Sequence, residues 1–253
     1  MSQLSYFLLI AAAAFPLSVS AQLAEQYSPP RSTCCLLSAG QNLVAAMEDW
    51  DGIGRYHADD EKLRAQLPDP GRVIFLGDSI TDNWKLEQFF GSKPYVNRGI
   101  SGQVTSQMLV RMYPDVIDLS PAAVVLLAGT NDIAGNNGPS TAAMIQENIM
   151  AMTELAKAHG IRVILCSLTP IADYGRRKMS DIRPPSDILR VNAWMKEYAA
   201  KTGAIYADYF SVLVDPKGMM KPGISADGLH PNEQGYNLMV PVVQAAIDQA
   251  LKK

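Results

Sequence analysis

Residues 72–84 read RVIFLGDSITDNW. Four consecutive apolar residues, Val73 to Leu76, run into Gly77, then into a carboxylate and a hydroxyl. An unbroken apolar run, rather than an alternating one, marks a strand covered on both faces, as in a parallel sheet. Gly77 would let the backbone turn tightly where that strand ends. Ser79 follows, and two readings compete for it. A serine at the start of a helix can cap it, or its hydroxyl can be presented for chemistry.

The same pattern recurs toward the C-terminus. Apolar runs predict strands at residues 122–128, 162–167 and 204–207, with a weaker one around 95–97. Between them TSQMLVRMYPDVI (105–117), STAAMIQENIMAMTELAKAHG (140–160) and SDILRVNAWMKEYAAKTG (186–203) read as helices, the second stopping at Gly160. This alternation predicts an α/β fold, a parallel sheet covered by helices on both faces. Residues 71–253 show no repeat, low-complexity linker or break in composition, and read as one domain. In such sheets ligands bind outside the carboxyl ends of the strands. Function is therefore to be sought just past each strand.

The N-terminal MSQLSYFLLIAAAAFPLSVSAQ (1–22) is different material. An apolar block from Tyr6 to Phe15 precedes Pro16, and Val19 and Ala21 occupy the −3 and −1 positions of a cleavage site. Residues 1–21 thus read as a secretory signal peptide cut after Ala21. An uncleaved anchor is the competing reading, but a spanning helix calls for about 18 apolar residues or more. No Cys stands at position 22, which argues against a lipoprotein leader. The expected product is exported, periplasmic or extracellular, without stable membrane insertion. Residues 22–70 read as a lead-in with two short helical pieces, QNLVAAMEDW (41–50) and ADDEKLRAQL (58–67).

A chain with 48% apolar and 19% charged residues is globular, and a net charge of −3 without Lys/Arg runs gives no footprint for nucleic acid. Its three cysteines make no disulfide framework. Cys34 and Cys35 are adjacent, so a bridge between them would close almost no loop, and their redox state stays open. Cys166, on a predicted strand, reads as a small buried hydrophobe. No second cysteine pair or histidine cluster accompanies them to hold a metal.

Four clusters of unusual residues fall on the predicted rim: Gly77-Asp78-Ser79, NRGISGQVTSQM (97–108), AGTNDIAGNNG (128–138) and ADGLHPNEQGY (226–236). A serine hydroxyl becomes a useful nucleophile when a base takes its proton, and histidine is the natural base near neutral pH. Of the histidines, His159 precedes a helix stop and His57 lies before the sheet. On the rim, only His230 has an aspartate, Asp227, at a spacing that could orient its ring. An oxyanion formed at Ser79 would need donors. The backbone N–H groups of Ser79 and Gly102 and the amide of Asn131 are candidates, and a side chain at Gly102 would be expected to block that pocket. Asp78 and Asp132 read as structural acceptors for backbone N–H groups.

In this order, Gly77-Asp78-Ser79, Gly102, Gly129-x-Asn131-Asp132 and Asp227-x-x-His230 resemble the four blocks of the SGNH (GDSL) hydrolase family. The resemblance covers residues 72 to about 250. It implies a flavodoxin-like three-layer α/β/α sandwich with about five parallel strands, and metal-independent ester hydrolysis through an acyl-serine, without a cofactor. It also implies roles: Ser79 as nucleophile, His230 as base, Asp227 as its orienter, and Gly102 and Asn131 with the Ser79 amide as the oxyanion hole. No G-x-S-x-G elbow is present.

Export and the lack of an obvious hydrophobic cap insertion favour short acyl esters, particularly O-acetyl groups on carbohydrates. A lysophospholipase- or thioesterase-type lipid hydrolase is the alternative, followed by a non-catalytic carbohydrate-binding protein. Trp84 could stack on a substrate, although an aromatic there is more often core. The long polar segment TPIADYGRRKMSDIRPPSD (169–187) reads as a rim loop, with Tyr174, Arg176 and Arg177 as candidate substrate contacts.

Overall fold

The computed structural model describes residue 44 and residues 47–67, 69–174 and 178–252. After a 3-10 turn (Ile53–Arg55) come helix α1 (His57–Arg64), strand β1 (Val73–Gly77), α2 (Ser79–Asp82), α3 (Leu86–Phe90) and β2 (Tyr95–Gly99). There follow α4 (Thr105–Val110), α5 (Met112–Asp115), β3 (Ala123–Leu127), α6 (Thr130–Ile133), α7 (Ala142–Ala158) and β4 (Arg162–Cys166). The chain closes with α8 (Pro185–Thr202), β5 (Ile205–Ala207), α9 (Tyr209–Leu213) and α10 (Glu233–Leu251). The proposed signal peptide, Cys34 and Cys35 lie outside the described residues.

All five strands are parallel, in the order β2-β1-β3-β4-β5. This is the doubly wound, flavodoxin-like order. Every residue of β1 and β3 is buried, while the edge strands β2 and β5 are partly covered. Helices α4, α7 and α8 touch one another in sequence on one face, and α10 covers β3, β4 and β5 beside α9 on the other. Burying a large aliphatic side chain gives about 1.5–3 kcal/mol, so the β1–β3 pair is the apolar heart of the domain. Because the chain steps from β1 outward to β2 and then returns past β1 to β3, the loops leaving β1 and β3 diverge. A crevice opens between them.

Local chemistry sets the element ends. Thr141 Oγ1 caps α7 by accepting the Met144 N–H at 3.2 Å. At its other end Ile161 and Gly160 donate back to Ala156 and Lys157, with Gly160 at φ 73°. The segment 105–117, expected as one helix, is broken at Arg111. Pro114 has no N–H for the Val110 carbonyl, and its ring crowds that carbonyl.

The segment before the sheet is fastened to it. Arg98, 2% exposed on β2, donates to Asp60 and Asp59, each at 2.8 Å. The Tyr56 hydroxyl donates to the Gly99 carbonyl. Beneath them Arg111 pairs with buried Asp115 and donates to the Arg98 carbonyl at 3.1 Å and to Gln103 Oε1 at 2.9 Å. This buried charge network stiffens the exit of β2, which leads to Gly102. Cys166 is wholly buried, and burial pushes its thiol up to about 12.

Candidate active site

At the end of β1 the glycine is required for space. A Cβ on Gly77 would stand 2.2 Å from Thr81 Oγ1 and 2.9 Å from the Leu127 carbonyl oxygen. Gly77 is absent from the glycines of positive φ, so close approach to α2 and β3, rather than a tight turn, demands it. Asp78 caps α2: its Oδ1 accepts the Ile80 N–H at 2.9 Å. Ser79, the first helical residue, is thereby relieved of the capping role. Asp78 is fully buried and its Oδ2 has no hydrogen-bond partner among the described residues. Burial, partly offset by the Ile80 N–H, pushes this carboxyl up to about 6.

The second half of the site is the turn before α10. Asp227 Oδ1 accepts the N–H groups of Leu229 and His230, both at 2.9 Å, and the Ser225 hydroxyl at 3.1 Å. Its Oδ2 lies 2.6 Å from His230 Nδ1. Burial would raise the Asp227 carboxyl, but these bonds, the His230 ring foremost, outweigh it and hold the group well below the usual carboxylate range. Gly228 has φ 82°, and a Cβ there would sit 1.9 Å from the Ala172 carbonyl oxygen. Only glycine lets Asp227 and His230 turn to the same side.

His230 Nε2 lies 2.9 Å from Ser79 Oγ, across 151 positions of sequence. What joins them is the start of α10. The Tyr236 hydroxyl donates to the Ile80 carbonyl at 2.8 Å, and its ring stacks on Trp84 with centroids 5.0 Å apart.

From β3 come Asn131 and Asp132. Asp132 accepts the Thr105 N–H at 3.0 Å and its hydroxyl at 2.6 Å, holding the start of α4 beside α6. Burial raises its carboxyl while these bonds oppose the rise. The Asn131 amide is fixed at both ends: Nδ2 donates to the Gln103 carbonyl at 3.0 Å, and Oδ1 accepts from Arg183 Nη2 at 2.9 Å. Arg183 also donates from Nε to Thr130 Oγ1 at 3.2 Å. One N–H of the Asn131 amide is thus left over. Neither the Ser79 N–H nor the Gly102 N–H donates to a backbone carbonyl among the described residues. Gly102 has φ 84° and a Cβ on it would meet no protein atom within 4 Å, so backbone conformation, not packing, requires glycine there.

These groups border a cleft of about 330 Å³. Asn83, Ser101, Gly102, Asn131, Asn136 and Arg183 line it around Ser79 and His230, and Leu229 supplies its one aliphatic side chain. Ser79, Gly102, Asn131 and His230 therefore meet in one place, with Asp227 behind His230. Trp84 does not join them. It is 1% exposed, packed between Phe75, Phe90 and Tyr236, and the apolar pull of that cluster makes it the seat of α10 rather than a substrate contact. Tyr174 is not a lining residue either; its hydroxyl donates to the Met220 carbonyl at 2.7 Å. Arg176 and Arg177 lie outside the described residues. Among the described residues, the cation that the 169–187 loop brings to the cleft is Arg183, whose only mark in the sequence is its place before Pro184-Pro185 at the start of α8. Among the described residues no group of three or more His, Cys, Asp or Glu side chains is placed to hold a metal ion.

A serine, a histidine and an aspartate hydrogen-bonded in series at the switch point of a doubly wound sheet is an arrangement suited to acyl transfer. The GDSL-like Lipase/Acylhydrolase family model matches residues 75–238, and the chain belongs to that family. A solved structure of a candidate acylhydrolase from Bacteroides fragilis NCTC 9343 is 40% identical, with a TM-score of 0.75, over 81% of this chain and 99% of that one. Esterase TesA of Pseudomonas aeruginosa is 26% identical over 63% of this chain and 79% of its own length. The lipoprotein YqeF of Bacillus subtilis is 31% identical over 120 residues, 40% of this chain and 49% of that protein. No helix of the described residues is long and apolar enough to cross a membrane.

Proposed function

We propose that this chain is an exported serine esterase that removes short acyl groups, O-acetyl groups on carbohydrates in particular. The observation that carries the reading is the Asp227–His230–Ser79 series, at 2.6 and 2.9 Å, opening on a small polar cleft. Neutral His230 takes the Ser79 proton on Nε2 as Oγ bonds to the ester carbon. Asp227, held as a carboxylate, fixes the Nδ1–H tautomer and stabilises the imidazolium. The oxyanion is met by the N–H groups of Ser79 and Gly102 and the remaining N–H of Asn131, each such donor worth about 3 kcal/mol of barrier. Collapse breaks the ester C–O bond, and the alcohol leaves with the proton from His230. Water then repeats the sequence on the acyl-serine, releasing the acid and restoring Ser79.

A long acyl chain needs an apolar trough, and Leu229 alone does not provide one. That favours acetyl over lipid substrates. The N-terminal leader supports export. The test is a series of p-nitrophenyl esters of two to twelve carbons, assayed with wild type and Ser79→Ala. Activity greatest at two to four carbons and lost in the variant is expected. A peak at eight carbons or longer would make the enzyme a lipid hydrolase, and full activity in Ser79→Ala would remove the serine mechanism.

A further inference from the structure

A second hollow of about 340 Å³ adjoins the catalytic cleft, and Ser101, Gly102 and Asn136 form a wall of both. Trp50, 48% exposed, lines it too, as do Asp49 and Asn137. A single exposed aromatic is ordinary on a protein surface, but this one is held in place by the site itself. Gln107 Nε2 donates to the Trp50 carbonyl, and Gln103 Nε2 donates to the Asp51 carbonyl at 2.6 Å. Gln103 is in turn gripped by Arg111, and its own carbonyl accepts from Asn131. Gly52 permits the approach: a Cβ there would stand 2.7 Å from Gln103 Nε2. The loop that presents Gly102 therefore also positions Trp50.

We propose that this hollow is the subsite for the alcohol half of the substrate, a pyranose-containing glycan whose ring stacks on Trp50. The inference rests on the carbohydrate acetyl-ester reading above. A two-carbon acyl group would leave the adjoining hollow free for the rest of the substrate. The lining fits a sugar: an indole face for the apolar C–H face of the ring, and the Asp49 carboxylate and Asn136 and Asn137 amides for hydroxyls. Asp49 already accepts the Gly54 N–H and Asn136 donates to the Gly102 carbonyl, and sugar hydroxyls, unlike an acyl chain, would meet the hydrogen-bonding capacity that remains.

Two substrates test it, p-nitrophenyl acetate and acetylated xylotetraose, with wild type, Trp50→Ala and Trp50→Tyr. The ratio of kcat/KM for the oligosaccharide to that for p-nitrophenyl acetate is expected to fall about tenfold in Trp50→Ala, carried by KM, and to recover largely in Trp50→Tyr. An unchanged ratio in Trp50→Ala overturns the subsite whatever happens to the absolute rates. A wild type that cleaves p-nitrophenyl acetate but not the acetylated oligosaccharide overturns the carbohydrate reading, and the subsite falls with it. Oligosaccharide cleavage by wild type with an unchanged ratio overturns the subsite alone.

Discussion

Asp78 separates two tasks that sequence alone would load onto one serine. By accepting the Ile80 N–H it satisfies the helix start, and the Ser79 hydroxyl is left to His230. Its burial has a measurable consequence. With a folded-state value of about 6 against about 4 unfolded, the protonated form is favoured by folding. That contribution is complete below pH 4 and is lost as pH rises through 6, on the order of 3 kcal/mol in all. Asp78→Asn keeps an acceptor for Ile80 and removes the titration. Thermal melts of wild type and this variant should therefore diverge between pH 4 and 6, the wild type losing stability relative to the variant as pH rises; parallel curves would contradict the buried carboxyl. Asn131 and Arg183 make a second residue-scale pair. Asn131→Ala should lower kcat by about a hundredfold or more with little change in KM. Arg183→Met, which frees the Asn131 amide to rotate, should lower kcat about tenfold or more in the same way. Lysine, lacking the planar fork, should restore little. A loss carried by KM would instead make Arg183 a substrate contact.

At the scale of elements, the turn that carries Asp227 and His230 is the strained piece. Gly228→Ala must relieve both a left-handed φ and the overlap with the Ala172 carbonyl, which costs about 3 kcal/mol. A fall in Tm of about 6–12 °C is expected, together with loss of esterase activity in the protein that remains folded at low temperature. A variant with wild-type Tm and rate would show that the turn adapts. The strands around the site were legible because their apolar runs are continuous, and β1, β3 and β4 begin and end close to where those runs do. Over 105–117 the apolar periodicity outlasts the Pro114 break, so one helix is expected where two short ones form. Trp84 is ambiguous in sequence for a related reason: a large aromatic just past α2 serves equally as a substrate platform or as a seat for a neighbouring helix, and its partner Tyr236 is 152 positions away. Nothing local in the sequence marks Arg183 as a residue that the fold turns inward.

For the whole molecule, alternation of strand and helix predicts a parallel sheet, but strand order is a long-range property that no local pattern encodes. The order β2-β1-β3-β4-β5 is what brings the Ser79 and Asn131 loops side by side, and α10 returning over β3 to β5 brings His230 to them. The site was legible as residue types at strand ends, and its assembly depended on contacts such as Tyr236 on Trp84 that have no sequence signature. Covalent trapping reports most directly on that assembly. The protein, treated with a fluorophosphonate near neutral pH and digested for mass spectrometry, should carry one phosphonyl group on Ser79, and Ser79→Ala and His230→Ala should carry none. An unlabelled wild type, or an adduct on any other serine, would contradict Ser79 as the nucleophile.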